Sequence, residues 1–533
     1  MSDENRCQVC QSAASQKCSG CHTVFYCSRE HQRADWKKHK KMCKPYKICH
    51  DEALGRFLIA TKDISVGDIV LQEPPLIRGP SQVTMPVCLG CGNAMDEKNF
   101  KPCAKCGWPV CSSTCEKSPN HIPECQYTSS RGSKITISTF GSIHPSYQCV
   151  TVLRCLYQKQ FLSETWKKID LLQSHCAERK LTSKYEKDRV SIAQFILNFF
   201  KLRQVFTEEE ILRVCGILMV NGHEVPLTNP PHVAIYEVAS MLEHKCNANC
   251  NRTFTSQGAV LVKAGTAIKK GDHLSICYTD PLWGTLNRRH HLYESKFFWC
   301  LCERCADPTE FGTYFSAIRC QKPNCSGYIL PSSFLDQSAN GKLPNWTCNK
   351  CESSCNSYHA QEILDRIGQD LHEMEKGTTK AAKDFIKTYE KYLHSNHYYL
   401  VDVKLALSQL MGHEDAFGLP AVGDDDLQYK ARLCQAIANL VKTLAPGESR
   451  LRGLLLFELH ATVAELGRRN ADPQQLPAVL QESKKLLQES CDLLRHEPDC
   501  LPEGKLYIQA QKNLKEIDVV LMALHRSIGD APL

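Results

Sequence analysis

No apolar run in this chain of 533 residues reaches the roughly 18 to 20 residues that a membrane span requires, which excludes a bilayer-spanning helix as its organising element. A strong charge of either sign is also missing: 65 lysines and arginines stand against 58 aspartates and glutamates, a formal net charge of +7. With no readable recognition helix, that balance gives direct nucleic-acid binding no support. The chain shows no secretory pattern at its start, so the expected setting is a reducing one, cytoplasmic and/or nuclear. Cysteine, by contrast, is plentiful, with 32 residues that fall mostly into groups before about residue 357.

The first group is Cys7, Cys10, Cys18, Cys21, Cys27, His31, His39 and Cys43, and the second is Cys88, Cys91, Cys103, Cys106, Cys111, Cys115, His121 and Cys125. Each runs as two C-x2-C knuckles followed by two ligand pairs. The clustered spacing suits zinc better than disulfides. Ser28 and a following run free of Pro and Gly predict a helix over 28–43. On such a helix His31 and His39 lie roughly 12 Å apart along the axis and cannot share one ion. Cys27 with His31, and His39 with Cys43, are i,i+4 pairs that each complete a tetrahedral site begun by one knuckle, hence two zincs per octet. The lysines at 37, 38, 40, 41, 44 and 47 read as a solvated helix face, with a phosphate or acidic partner as the alternative.

Between the octets, Phe57, Ile59, Ile64, Val66, Ile69 and Leu71 read as β-structure broken by a turn at Val66-Gly67-Asp68. Residues 150–220 read as helical, with a polar start at Thr207, and short strands resume over 221–280. From about 357 the helical period dominates: Leu455, Leu459, Val463 and Leu466 mark one face, and Ala510, Leu514, Ile517, Leu521 and Leu524 another. Antiparallel helix pairs of the tetratricopeptide kind fit these lengths, although no strict repeat is readable. The stretch Gly423 to Asp426 is expected to be a loop between helices. Cys320, Cys325, Cys348 and Cys351 form a further quartet suited to a zinc ribbon.

Three central segments carry the chemistry: "SMLEHKCNANC" at 240–250, "GDHLSICYTD" at 271–280 and "FFWCLCERCADPTE" at 297–310. The C-x-C-x2-C of Cys300, Cys302 and Cys305 leaves a zinc site one ligand short. Here the chain resembles the SET-domain lysine methyltransferases, in which a cysteine of an N-H-S-C motif closes that site; the matching residue is Cys246. The stretch "YCSREHQRADWKKHKKMC" resembles a MYND finger, whose cross-braced order pairs the first knuckle with Cys27 and His31 and the second with His39 and Cys43; "VCSSTCEKSPNHIPEC" is a looser MYND-like unit. The order of parts is similar to that of the SMYD family. The extra N-terminal finger and the late quartet are most like the arthropod SmydA-type members.

The resemblance implies a multidomain α+β fold: a MYND finger over 1–45, then a β-rich SET domain split over 46–281 (46–85 its first part, 86–126 the second finger, 127–220 a helical insertion, 221–281 the core). A post-SET zinc segment over 282–310, a ribbon over 311–356 and a helical TPR-like region over 357–533 follow. It implies S-adenosyl-L-methionine as cofactor, about six structural zincs, a protein substrate with a target lysine, and proline-rich peptides as possible ligands of the fingers. By position, Tyr278 is the catalytic tyrosine, and Gly55, Arg56, Phe57, Tyr147, Asn221, Glu243, His244 and Phe298 join it around the cofactor. The tyrosine hydroxyl would orient the methyl transfer, and an apolar channel would keep the incoming amine neutral. Three residues depart from the family's pattern. Phe57 stands where a second glycine is usual and, if positive φ were needed there, would cost on the order of 1 to 2 kcal/mol; Glu243 replaces an asparagine and Lys245 a serine. The other reading of the same residues is a zinc-rich adaptor or transcriptional co-regulator with a weak or inactive SET core.

Overall fold

The Ser28 side chain, in extended backbone conformation, accepts a hydrogen bond from the His31 amide at 3.3 Å and starts the helix Arg29–Met42. The computed structural model describes residues 6–18, 24–52, 54–335, 345–414, 417–470, 472 and 474–529. After this helix the chain forms the antiparallel pair Tyr46–Asp51 and Gly55–Ala60, with Cys49 opposite Phe57.

Segments far apart in sequence then build one β-rich core. Ile69–Glu73 pairs with Val260–Ala264, which pairs in turn with Cys250–Phe254, and Ile77–Pro80 lies against His232–Ile235. Alternate residues of these strands, among them Leu58, Ala60, Val70, Val260, Val262 and Ile276, close a single apolar core. Glu73 at the end of its strand accepts backbone hydrogen bonds from Glu237, Val238 and Ala239, the first at 2.7 Å. Burial raises its carboxyl, and these three amides pull the other way. They fix the 3₁₀ turn Ala239–Met241 that delivers Glu243–His244 to its parallel partner Ser275–Ile276.

The residues between the two halves fold as a second cysteine-rich unit and a helical layer. Val150–Phe161 and Glu208–Asn221 pack around a core that includes Trp108, Leu153, Leu156, Ile211 and Ile217. The second of these helices begins with a capping box, Thr207 and Glu210 exchanging side-chain and backbone bonds.

Beyond residue 310 a four-stranded antiparallel sheet, Ile318–Arg319, Tyr328–Pro331, Trp346–Cys348 and Ser354–Cys355, precedes seven α-helices among the described residues. The expected loop at Gly423–Asp426 is corrected: only Gly423 lies outside the helix Asp424–Leu444, and the three aspartates occupy its first turn, where negative charge complements the helix dipole. The helices are keyed to the β core. A Cβ on Gly447 would fall 2.4 Å from the Ala248 carbonyl oxygen, and Glu497, almost fully buried, accepts from Thr253 at 2.7 Å and faces Lys263 at 3.8 Å. No described helix is long and apolar enough to cross a membrane.

Candidate functional site

No disulfide joins the described cysteines, and most of the predicted ligand groups converge. The Sγ and imidazole nitrogen atoms of Cys7, Cys10, Cys27 and His31 lie within 4.8 Å of one another, as do those of Cys88, Cys91, Cys111 and Cys115, of Cys103, Cys106, His121 and Cys125, of Cys246, Cys300, Cys302 and Cys305, and of Cys320, Cys325, Cys348 and Cys351. His39 Nε2 and Cys43 Sγ approach Cys18 Sγ at 3.1 and 3.8 Å; Cys21 lies outside the described residues. The sulfur pairs, at 3.4 to 4.0 Å, are far too long for disulfides. They match the edge of about 3.8 Å that four ligands 2.3 Å from a tetrahedral zinc would give. His31 and His39 fall to different clusters. In both octets the knuckles alternate between sites, the cross-braced order.

Two of these clusters have an outer layer that residue spacing did not reveal. His121 presents Nε2 to Cys106 at 3.4 Å while Nδ1 meets Glu124 Oε1 at 3.1 Å. Glu124, fully buried, is held in turn by two bonds from Arg154, at 2.7 and 3.0 Å. The Arg154 guanidinium holds the Glu124 carboxyl below its ordinary range, against the opposing pull of burial. At the other cluster Arg288 donates to Cys246 Sγ at 3.3 Å and pairs with Glu310 at 3.0 Å, and Arg304 pairs with the same carboxylate at 3.0 Å, all three side chains fully buried. An arginine beside four thiolates offsets part of their charge.

The residues predicted around Tyr278 come together in part. The Tyr278 amide donates to His244 Nδ1 at 3.0 Å, His244 Nε2 lies 3.4 Å from Cys246 Sγ, and the rings of His244 and Phe298 are 6.0 Å apart. The Tyr278 hydroxyl donates to the Leu242 carbonyl, and burial pushes its pKa above the ordinary tyrosine value, so it acts as a neutral hydroxyl. Glu243 accepts from His273, with Oε2 2.8 Å from Nδ1, and His273 stacks on Phe57 at 4.6 Å. Arg56 reaches the Leu171 carbonyl at 2.6 Å and Asn221 the Gln173 carbonyl at 2.7 Å, so both border the same loop.

Two expectations change. Positive φ falls on Gly55 (φ 69°) and not on Phe57, which is a regular strand residue, buried and unstrained. Phe57 therefore carries no left-handed penalty. Tyr147 does not join the constellation: it is fully buried against Trp108 in the helical core and spends its hydroxyl on the Val87 carbonyl at 2.7 Å. Lys245 has its amide on the Ile276 carbonyl at 3.3 Å, so the lysine-for-serine departure falls within the turn after Glu243–His244.

The remaining groups still suit a cationic, adenine-bearing cofactor. A Cβ on Gly55 would meet nothing within 4 Å, so the loop leaves open space; Glu243 offers anionic acceptors, and Phe298 a half-buried aromatic face. Missed in the sequence were His273, Arg252 and Lys296. Arg252 Nη1 lies 3.3 Å from His223 Nδ1, and Lys296 Nζ donates to the Val220 carbonyl at 2.6 Å while sitting 5.8 Å from the Tyr278 ring centre. A cation four residues ahead of the C-x-C-x2-C was the only available signal.

Comparison with known proteins follows the same division. The family model of the MYND finger matches residues 7–43, and that of the SET domain residues 55–279. The Drosophila melanogaster SET domain-containing protein SmydA-8, isoform A, is 26% identical over 423 residues, covering 77% of this chain and 87% of the relative. The Arabidopsis thaliana histone-lysine N-methyltransferase ASHR1 is 25% identical over 367 residues, 63% of this chain and 71% of the relative. The human histone-lysine N-methyltransferase SMYD3 is 24% identical over 277 residues, 47% and 59% respectively.

Proposed function

We propose, for a chain that belongs to the SMYD family of SET- and MYND-domain proteins, an S-adenosyl-L-methionine-dependent protein-lysine N-methyltransferase acting on histone or non-histone proteins. The observation that carries this reading is the bond from the Tyr278 amide to His244, which ties the tyrosine strand directly to the Cys246 cluster and to Phe298. Gly55, Arg56, Asn221, Glu243, His244 and Phe298 would hold the cofactor, with Phe57 behind His273. When bound, it supplies a methyl group on a cationic sulfur. The neutral Tyr278 hydroxyl presents an oxygen dipole to positive charge, and its bond to Leu242 fixes the direction of that dipole.

The clusters, on this reading, bind about six zincs that hold the frame and take no part in transfer. The division of the chain stays as the family order implies, with the last seven helices a TPR-like region that flanks the substrate path and the fingers open to proline-rich peptides. A cytoplasmic and/or nuclear setting suits so many free thiols. One observation favours the adaptor reading instead: Glu243 is already engaged by His273 and Phe57 closes behind it. Calorimetric titration with S-adenosyl-L-methionine, alongside elemental zinc analysis, decides between them. Binding tighter than about 1 mM (roughly −4 kcal/mol), and turnover on a histone or other protein substrate that collapses in Tyr278→Phe with zinc content unchanged, is the expected result. A zinc-replete protein that binds no cofactor is an adaptor.

A further inference from the structure

The surroundings of Tyr278 contain a lysine of the chain itself. Lys296 closes the helix Thr285–Lys296, and the left-handed turn at Phe297 (φ 62°) sends the chain off toward the zinc knot, leaving the Lys296 stem to run inward. Its Nζ donates to the Val220 carbonyl at 2.6 Å, one of the last acceptors of the helix Glu208–Asn221, where a helix end attracts a cation. The same nitrogen sits over the Tyr278 ring, 5.8 Å from its centre.

The neighbouring charges set this amine apart from an ordinary surface lysine. Arg252 approaches from the strand Cys250–Phe254 with its guanidinium on His223, and among the described residues neither Arg252 nor Lys296 has a carboxylate partner. Burial and the Arg252 charge bring Lys296 down to about 8. A lysine arriving from another protein would meet two cations on its way to Tyr278, a like-charge approach that disfavours it. Lys296 is already there, partly dehydrated and tethered, and needs no bimolecular encounter.

We propose that Lys296 is a methyl acceptor in cis, so that the chain modifies itself at the Lys296 amine. The idea rests on the methyltransferase reading above. In the step the Nζ lone pair forms a bond to the methyl carbon of S-adenosyl-L-methionine, the carbon–sulfur bond breaks with its electrons passing to sulfur, and S-adenosylhomocysteine leaves. The proton that frees this lone pair passes from the Lys296 ammonium to water before the attack, and the product is the methylated ammonium. Methylation keeps the positive charge available but adds bulk beside Tyr278, so the modified chain would admit an outside lysine less readily.

Full-length zinc-loaded protein incubated with S-adenosyl-L-methionine is expected to gain 14 Da, on the peptide containing Lys296, at a rate independent of protein concentration. Lys296→Arg, which keeps the charge and a donor for Val220, is expected to lose that mass gain while retaining its zinc. A second measurement needs no turnover: competitive acylation of the cofactor-free protein across pH should show the reactivity of Lys296 levelling off at lower pH than that of the exposed lysines Lys269 and Lys270. If the protein binds the cofactor and methylates added histone while Lys296 stays unmodified, the acceptor assignment is wrong and the methyltransferase reading survives. If no cofactor binds, both fall. Modification of another lysine that persists in Lys296→Arg, or an acylation pH profile for Lys296 that matches a surface lysine, also overturns the assignment.

Discussion

The Tyr278 amide donates to His244 Nδ1 at 3.0 Å, so the neutral imidazole carries its proton on Nε2, which points at Cys246 Sγ 3.4 Å away. One ring thus orients the catalytic candidate and serves as an outer partner of the thiolate cluster. Replacing it by alanine removes both bonds. His244→Ala is expected to lower zinc affinity at the Cys246 site by about 10- to 100-fold, the usual cost of losing an outer-shell partner, and to lower methyl transfer. Competition with a colorimetric chelator reads the first effect; unchanged affinity would mean that Arg288 alone supports the cluster.

Glu124 does the same for the second finger, but at a greater depth. Glu124→Gln keeps the shape while removing the charge that Arg154 pairs with, leaving a guanidinium 5% exposed without its anion. Breaking a buried pair by deleting one partner costs about 3 to 5 kcal/mol. The expected outcome is a lower urea midpoint together with easier zinc loss from the Cys103 site. Glu124→Gln with Arg154→Met should recover much of the stability, since both charges are then gone; no recovery would show that Arg154 acts through its bonds to Arg78 and Leu89 carbonyls at 2.9 Å instead.

At the cofactor side, Glu243→Ala should weaken S-adenosyl-L-methionine binding by about 1.5 to 3 kcal/mol, the range for a hydrogen bond to a charged group. Phe57→Gly is a poor probe, because Phe57 is 6% exposed and its removal would leave a cavity costing several kcal/mol. Phe57→Leu keeps the volume and removes only the stack on His273, and on the enzyme reading it should change binding little. Tighter binding in Phe57→Leu or His273→Ala than in the wild type would show that the Phe57, His273 and Glu243 chain blocks the site.

The helical region carries its own pH response. His460 is buried beside Ser483, with Nδ1 2.7 Å from Oγ, and burial pushes it from 6.5 down to about 4. Above pH 6.5 it is neutral whether folded or unfolded. As pH falls from 6.5 toward 4 the unfolded chain takes up a proton that the native one refuses, so stability drops by about 1.4 kcal/mol per unit. Urea midpoints at pH 7 and pH 5 should therefore fall less in His460→Gln than in the wild type. Equal falls would assign the acid response to other groups, the half-buried His394, the buried His397 or the zinc sites among them.

Metal-ligating groups were legible because coordination is built from short spacings: a knuckle or an i,i+4 pair keeps its meaning wherever the unit is placed. The helix after Ser28 and the polar helix start at Thr207 were legible for the same local reason. Pairings that close only in three dimensions were not. Glu243 meets His273 across 30 residues, and Arg288 meets Glu310 across 22, through strands and turns whose register no single segment states. The glycine-and-phenylalanine question at Gly55 to Phe57 depended on which residue takes positive φ, and spacing does not contain that. Tyr147 was placed by likeness of position and the tertiary packing against Trp108 overrode it. Gly423 to Asp426 misled because acidic residues mark a helix start as readily as a loop.

The contact of Gly447 with the Ala248 carbonyl lies two residues from Cys246, and Glu497 grips, through Thr253, the strand Cys250–Phe254 into which this segment runs. Backbone touching backbone leaves no compliant layer between them. Any shift of the Cys246 end of that strand is therefore handed on to the helices, which makes them a remote gauge of the metal: stripping the Cys246 site should speed amide exchange around Gly447 before the distant fingers respond.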